Sequence, residues 1–148
     1  MIQDDKKTLM MLIADVHRQF GHRIREMEKN SGSNNCGNCI LLELERNGNL
    51  TQVELVDKIH MRPSSVSVAL QKLELDGLIE KKTKDDDQRY FIVCITQKGK
   101  QICDEIKKRI FDLDNSITSQ LDEEELEQAK KVLRKINKIF KEEQGENI

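Results

Sequence analysis

The sequence predicts a mainly helical protein with a small sheet of two or three strands. Its composition favours helices, because one proline and seven glycines stand among many Leu, Ile, Lys and Glu residues. Apolar residues recur at helical spacing towards both ends of the chain, and two short runs typical of strands, 78–82 and 90–95, lie in the middle. A length of 148 residues favours one domain over 1–148.

The first predicted helix covers residues 5–29. Its apolar residues keep a spacing of three and four, and they are Leu9, Leu12, Ile13, Val16, Phe20, Ile24 and Met27. A core stripe within one chain is the simpler interpretation, but the stripe is long for a small domain to cover, which favours an interface between two chains. A polar loop, 30–35, and a short buried helix that ends near Asn47 come next.

The middle of the chain carries the signals of two helices joined by a tight turn. Thr51 and Glu54 have the spacing of a capping box at the start of the first helix. The turn is 60–62, after which Pro63 suits the first position of the second helix and Gly77 suits its end. The core face of the second helix is predicted to be Val66, Ala69, Leu70 and Leu73.

The two predicted strands enclose a charged tip, 83–89, and Thr96 is placed to cap the helix that follows. That helix is expected to reach Ser116 or Ser119. Asp122 and Glu125 then form a second capping box ahead of the last helix. Two helices joined by a turn and followed by a hairpin indicate a winged helix–turn–helix. We therefore predict a DNA-binding lobe over 36–100, with 5–29 and 101–143 as dimerisation helices.

Two regions are candidates for contact with DNA. A helix fits the major groove and reads base edges through its outer face, where Gln71 can pair with adenine and Val68 or a serine can reach a thymine methyl group or a phosphate. An ordinary solvated surface is the alternative for both regions. The predicted contacts on the second helix are Arg62, Ser64, Ser65, Ser67, Val68, Gln71 and Lys72, and those at the tip are Lys84, Asp87 and Arg89.

The stretch 49–100 resembles the MarR (multiple antibiotic resistance regulator) family of bacterial transcription factors. The matching motifs are Leu50-Thr51-Gln52-x-Glu54-Leu55, Leu73-Glu74-x-Asp76-Gly77-Leu78-Ile79, Asp87-Gln88-Arg89 and Ile95-Thr96-x-x-Gly99. Their order and spacing together are more specific than any one of them. The flanking helices extend the resemblance over nearly the whole chain.

The resemblance implies a homodimer that binds a pseudo-palindromic operator on double-stranded DNA. It implies that Arg89 enters the minor groove while Asp87 holds its guanidinium group, and that the protein is a repressor released by a small aromatic effector. The effector would bind between the dimer helices and the DNA-binding lobe, in a cleft that these side chains could line: His17, Arg18, Phe20 and Cys39.

The net charge of −2 argues against DNA binding, since a basic chain is the simple expectation. The acidic residues are concentrated in 122–127 and in the C-terminal tail, whereas the predicted DNA face is richer in lysine and arginine. The acidic residues 85–87 at the tip still dilute the positive charge. A helical protein–protein adaptor that does not bind DNA therefore stays open as an alternative.

The motif Cys36-Gly37-Asn38-Cys39 at a helix start leaves three interpretations open. The helix dipole would lower the pKa of the first thiol, which favours a thiol-based redox sensor using Cys36 and Cys39. Structural zinc usually needs four ligands, and apart from this pair only His17 and His22 could approach, so we predict no metal site. The third interpretation is that the thiols have no special role.

Enzyme signatures are absent from the sequence, which has neither a phosphate-binding glycine loop nor a nucleophile elbow. We predict a protein that is not an enzyme and that needs no cofactor. No apolar run approaches the roughly 20 residues that span a bilayer, and the N-terminus lacks the pattern of a signal peptide. The expected location is the cytoplasm, with reduced cysteines.

Overall fold

A computed structural model of the chain describes residues 4–28, 35–84 and 87–145, and the side chains of residues 4, 28, 84 and 87–90 lie outside that description. Within these residues the chain forms a short 3₁₀ turn, six α-helices and three strands. In order they are α1 (Leu9–Glu28), α2 (Asn35–Asn47), β1 (Leu50–Thr51), α3 (Gln52–Ile59), α4 (Pro63–Leu75), β2 (Ile79–Lys84), β3 (Asp87–Ile95), α5 (Gln97–Thr118) and α6 (Glu123–Glu143). The mainly helical class with a small sheet is confirmed.

The first helix begins later than predicted. The expected range was 5–29, whereas α1 begins at Leu9 and the 3₁₀ turn Asp4–Lys6 precedes it. Thr8 explains the difference, because its Oγ1 accepts a hydrogen bond from the amide of Met11 at 3.3 Å and its carbonyl accepts one from Leu12 at 3.1 Å. Thr8 therefore acts as the N-cap of α1.

The sheet has the strand order β1-β3-β2, and both pairings are antiparallel. In the β2–β3 pair Ile79 lies opposite Ile95, and regular pairing continues to Thr83 opposite Phe91. The register then shifts, so that Lys84 pairs with Asp87. The predicted tip was therefore too long: both strands extend into 83–89, because backbone pairing does not depend on the charge of exposed side chains.

The core of the lobe lies where α2, α3 and α4 pack together and against the sheet. The most deeply buried apolar side chains in this core are Ile40, Leu41, Leu44, Leu55, Val66, Leu70, Ile79 and Val93. The predicted short buried helix behind the two-helix motif is confirmed as α2. The chain divides into two compact units, 1–109 and 110–148, and the boundary falls within α5.

The apolar face of α1 remains largely exposed in the single chain. Ile24 is buried and Ile13 half-buried, but Val16 is 69% exposed. The other large apolar side chains of α1 that stay exposed are Leu9, Met10, Met11, Leu12, Phe20 and Met27. In the second unit, α6 similarly exposes Val132, Leu133, Ile139 and Phe140. Among the described residues, no helix combines the length and apolar character that a membrane span requires.

Candidate nucleic-acid interface

The turn between α3 and α4 is fixed by local hydrogen bonds at both ends of α3. Thr51 Oγ1 accepts from the amide of Glu54 at 3.2 Å, and the Thr51 amide donates to Glu54 Oε2 at 2.7 Å, which completes the predicted capping box. At the other end His60 adopts the left-handed conformation with φ of 51°, and its amide donates to Val56 O at 3.1 Å. The reversal of the chain into α4 is therefore specified within a few residues.

Helix α4 has one buried face and one exposed face, as predicted. Pro63 occupies its first turn, where a missing N–H costs nothing. The four predicted core residues, Val66, Ala69, Leu70 and Leu73, are all buried. On the other faces Ser67 is half-buried and Val68 is 66% exposed, and the remaining predicted contacts are exposed: Arg62, Ser64, Ser65, Gln71 and Lys72. We call these seven residues the α4 outer row.

The C-terminal end of α4 forms a Schellman motif around Gly77. The amide of Leu78 donates to Leu73 O at 2.9 Å, and the amide of Gly77 donates to Glu74 O at 3.0 Å. Gly77 has φ of 72°, a conformation that glycine adopts without the steric penalty of a side chain. The prediction that Gly77 ends this helix is confirmed.

Two lysines of β2 are engaged in ion pairs. Lys81 Nζ lies 3.3 Å from Glu74 at the end of α4, and Lys82 Nζ lies 3.9 Å from Glu80 of the same strand. Both pairs reduce the positive charge that this side of the hairpin offers to phosphates. Arg62 is exposed at the N-cap position of α4, and its contact with the DNA backbone stays a prediction.

The predicted contacts at the hairpin tip fall at the end of β2 and the start of β3. The backbones of Lys84, Asp87 and Arg89 belong to the paired strands, whereas their side chains lie outside the described residues. Their roles in DNA binding stay predictions. The hairpin itself is placed beside α4, since β2 packs against that helix.

The Cys36 thiol lies at the start of α2 and reaches the first turn of α4. Its Sγ donates to the carbonyl oxygen of Ser65 at 3.8 Å, a contact that no sequence signal predicted. Burial raises the pKa of the Cys36 thiol, and the neighbouring Cys39 thiol raises it further. The prediction that the pKa of this thiol is lowered is therefore wrong in direction, because burial disfavours the charged thiolate.

Helix α5 is attached to α2 by an ion pair close to the buried thiol of Cys103. Lys107 forms an ion pair with Glu45, and this partner raises the pKa of Lys107. Cys103 is fully buried, and burial raises its pKa to about 11. Cys103 is thus a core residue with an unreactive thiol at neutral pH.

The predicted effector residues lie on two helices. His17, Arg18 and Phe20 are exposed on α1, and Arg18 pairs with Asp15 of the same helix. Cys39 is half-buried on α2. Their assignment to an effector site stays a prediction. Among the described residues, no group of three or more His, Cys, Asp or Glu side chains is arranged to hold a metal ion.

Comparison with known proteins finds similarity to the MarR family and to a bacterial transcriptional regulator. The model of the MarR family matches residues 39–91, which include α3, α4 and most of the hairpin. The HTH-type transcriptional regulator BilQ of Clostridium symbiosum is 28% identical over 88 residues, which cover 60% of this chain and 61% of that relative.

Solved structures share the fold over a longer span. A crystal structure of MarR superposes with a TM-score of 0.87 at 21% identity, covering 99% of this chain and 100% of the other. A mutant MarR from E. coli, crystallised in complex with operator DNA, superposes with a TM-score of 0.74 at 22% identity, covering 86% of this chain and 92% of the other. At these identities the likeness shows the fold.

Proposed function

We propose that the chain belongs to the MarR family of winged helix–turn–helix proteins, whose model matches residues 39–91, and that it is a sequence-specific DNA-binding transcriptional regulator that acts as a homodimer. The α4 outer row is the observation that carries this proposal. Its polar and small apolar side chains stand exposed on a helix whose opposite face is anchored in the core, which is the arrangement that major-groove reading requires. The operator complex of the E. coli protein, which shares the fold, supports the same use of the lobe here.

The exposed apolar side chains of α1 and of α6 support a homodimer. Monomeric proteins rarely expose so many large apolar side chains along a single helix face, and such faces mark contacts between proteins. Association of two copies would bury them and would present two copies of α4 to one duplex. A pseudo-palindromic operator matches this two-fold symmetry, with half-sites about 10 base pairs apart.

We expect purified protein to be a dimer by light scattering and to select an inverted-repeat duplex from a random library. Its affinity should fall as salt rises, because lysines and arginines displace counterions from the phosphates. A monomer that ignores duplexes at low salt would contradict the proposal and would favour the protein–protein adaptor. A dimer that selects no duplex would support the proposed homodimer but would contradict sequence-specific DNA binding.

Repression is the regulatory mode we propose, by occupation of a promoter that polymerase would otherwise use. A small aromatic ligand is the proposed input, acting at the predicted residues His17, Arg18, Phe20 and Cys39. Such a ligand releases DNA only if it binds the DNA-free arrangement of the two lobes more tightly than the DNA-bound one.

The Cys36–Ser65 contact favours a second candidate input, a thiol switch. Cys36 and Cys39 lie three residues apart on α2, where side chains are neighbours. Hydrogen peroxide could oxidise the pair: one disulfide bond forms, and the two thiol protons and two electrons convert the peroxide to two water molecules. The bond from Cys36 to the first turn of α4 would then be lost, because the sulfur no longer carries a proton.

The raised pKa of Cys36 predicts that this thiol is alkylated slowly at neutral pH. Below the pKa the thiolate fraction grows about tenfold per pH unit, so alkylation of Cys36 by iodoacetamide should accelerate by that factor from pH 7 to pH 8. Buried Cys103 provides an internal control that should stay unmodified in the native protein. If mass spectrometry finds both Cys36 and Cys39 free after peroxide treatment, and DNA affinity is unchanged, the thiol switch is wrong.

A further inference from the structure

A group of hydrogen bonds joins the end of α4 to the start of α5, and we call it the helix clasp (76–78 with 96–99). Three consecutive carbonyl oxygens after α4 each accept one hydrogen bond from a residue at the start of α5. Lys98 Nζ donates to Asp76 O at 2.8 Å, and Thr96 Oγ1 donates to Gly77 O at 2.7 Å. The amide of Thr96 donates to Leu78 O at 3.1 Å.

The Thr96 hydroxyl has two roles in the clasp. While it donates to Gly77 O, it also accepts a bond from the amide of Gly99 at 3.1 Å in the first turn of α5. One hydroxyl group thus satisfies an unpaired carbonyl that follows one helix and an unpaired amide that begins another. The two helix ends can separate only if the bond from Thr96 Oγ1 to Gly77 O breaks together with the bonds to Asp76 O and Leu78 O.

Directional hydrogen bonds at the C-terminal end of α4 restrain the tilt of this helix more strongly than apolar packing does. Burial of the core face of α4 is favourable but largely non-directional, so it restrains the tilt of the helix weakly. Hydrogen bonds weaken steeply when their angles change. Ser64 lies twelve residues before Asp76, about 18 Å along the axis at ~1.5 Å per residue, so a tilt of about 10° would displace one end by about 3 Å.

We propose that Thr96 and Lys98 are positioning residues for sequence recognition, which hold α4 at the angle at which its outer row reaches base edges. The proposal rests on the DNA-binding function proposed above. Base-edge contacts tolerate little displacement, whereas phosphate contacts through long flexible lysines tolerate more. Loss of the clasp should therefore reduce discrimination between duplexes more than it reduces affinity for duplex DNA in general.

The test compares two duplexes and four variants of the full-length protein. The probes are the duplex selected by the unmodified protein and a scrambled duplex of the same length and composition. Thr96→Val removes the hydroxyl and Thr96→Ser retains it. Lys98→Met removes the bond to Asp76 O, and Lys100→Met removes an equal charge from the exposed Lys100 in the same turn. The measured quantity is the ratio of the two dissociation constants, alongside thermal unfolding.

We expect the ratio to fall about tenfold in Thr96→Val and several-fold in Lys98→Met, since a loss near 1.4 kcal/mol corresponds to a factor of ten. Thr96→Ser and Lys100→Met should keep the ratio of the unmodified protein. If Thr96→Val fails to fold, the comparison of Lys98→Met with Lys100→Met decides. An unchanged ratio in folded Thr96→Val, or equal ratios in that second comparison, overturns the positioning role while DNA binding stands. An unmodified protein that does not discriminate overturns the proposed function itself.

Discussion

Replacing Gly99 with alanine is expected to lower the free energy of unfolding by about 3 kcal/mol, at the upper end of the cost of overpacking a closely fitted site. A Cβ atom at position 99 would lie 2.2 Å from Leu78 O and 2.8 Å from a side-chain carbon of Ile95. The first obstacle is the backbone of Leu78, so the first turn of α5 would have to move away from that residue and disrupt the helix clasp. Urea unfolding followed by circular dichroism measures the change.

Gly21→Ala is the matched control for this substitution. Gly21 lies within α1, and a Cβ atom there would make an ordinary contact at 3.4 Å with the flexible end of Arg25. Because alanine favours a helix over glycine, we expect this variant to be more stable by about 0.5–1 kcal/mol. A Gly99→Ala protein as stable as Gly21→Ala would show that the start of α5 is not held as closely as the structure indicates.

Replacing Arg89 with alanine is expected to weaken binding to the selected duplex by about 100-fold. A guanidinium group suits the negative potential of a narrow minor groove, and a dimer loses two of them at once. At about 1.4 kcal/mol for each half-site, the two losses together correspond to that factor. A gel-shift titration, or fluorescence anisotropy at fixed salt, measures the effect.

The control for this experiment is Arg25→Ala, which removes the same charge from an exposed position on α1. We expect its affinity to stay within about twofold of the unmodified protein, since charges distant from the DNA are largely screened at moderate salt. Equal affinities for Arg89→Ala and Arg25→Ala would remove the hairpin tip from the DNA interface. Recognition would then depend on the α4 outer row alone.

Sequence reasoning was most successful where the deciding interactions are local. Thr51 with Glu54, Pro63 and Gly77 act on residues within one helical turn, so their positions along the chain were enough to predict both helices and the turn between them. The buried face of α4 followed from periodicity alone, because the helix period is fixed by backbone geometry.

The features that sequence reasoning missed depend on residues distant in the chain. The bond from Cys36 to Ser65 joins positions 29 residues apart, and the bond from Lys98 to Asp76 joins positions 22 apart. The direction of the Cys36 pKa shift was wrong for the same reason, since burial of that thiol is set by the packing of the helices around it. Motifs defined by short spacings along the sequence cannot predict such long-range contacts.

The shift in register near the end of the hairpin bears on where that end points. Between the pair Thr83–Phe91 and the pair Lys84–Asp87, β3 has three residues that pair with no residue of β2. Extra residues of this kind bend the strand that carries them and increase its local twist. The direction in which the hairpin end points is thus set by these three residues and not by the regular pairs nearer the helices.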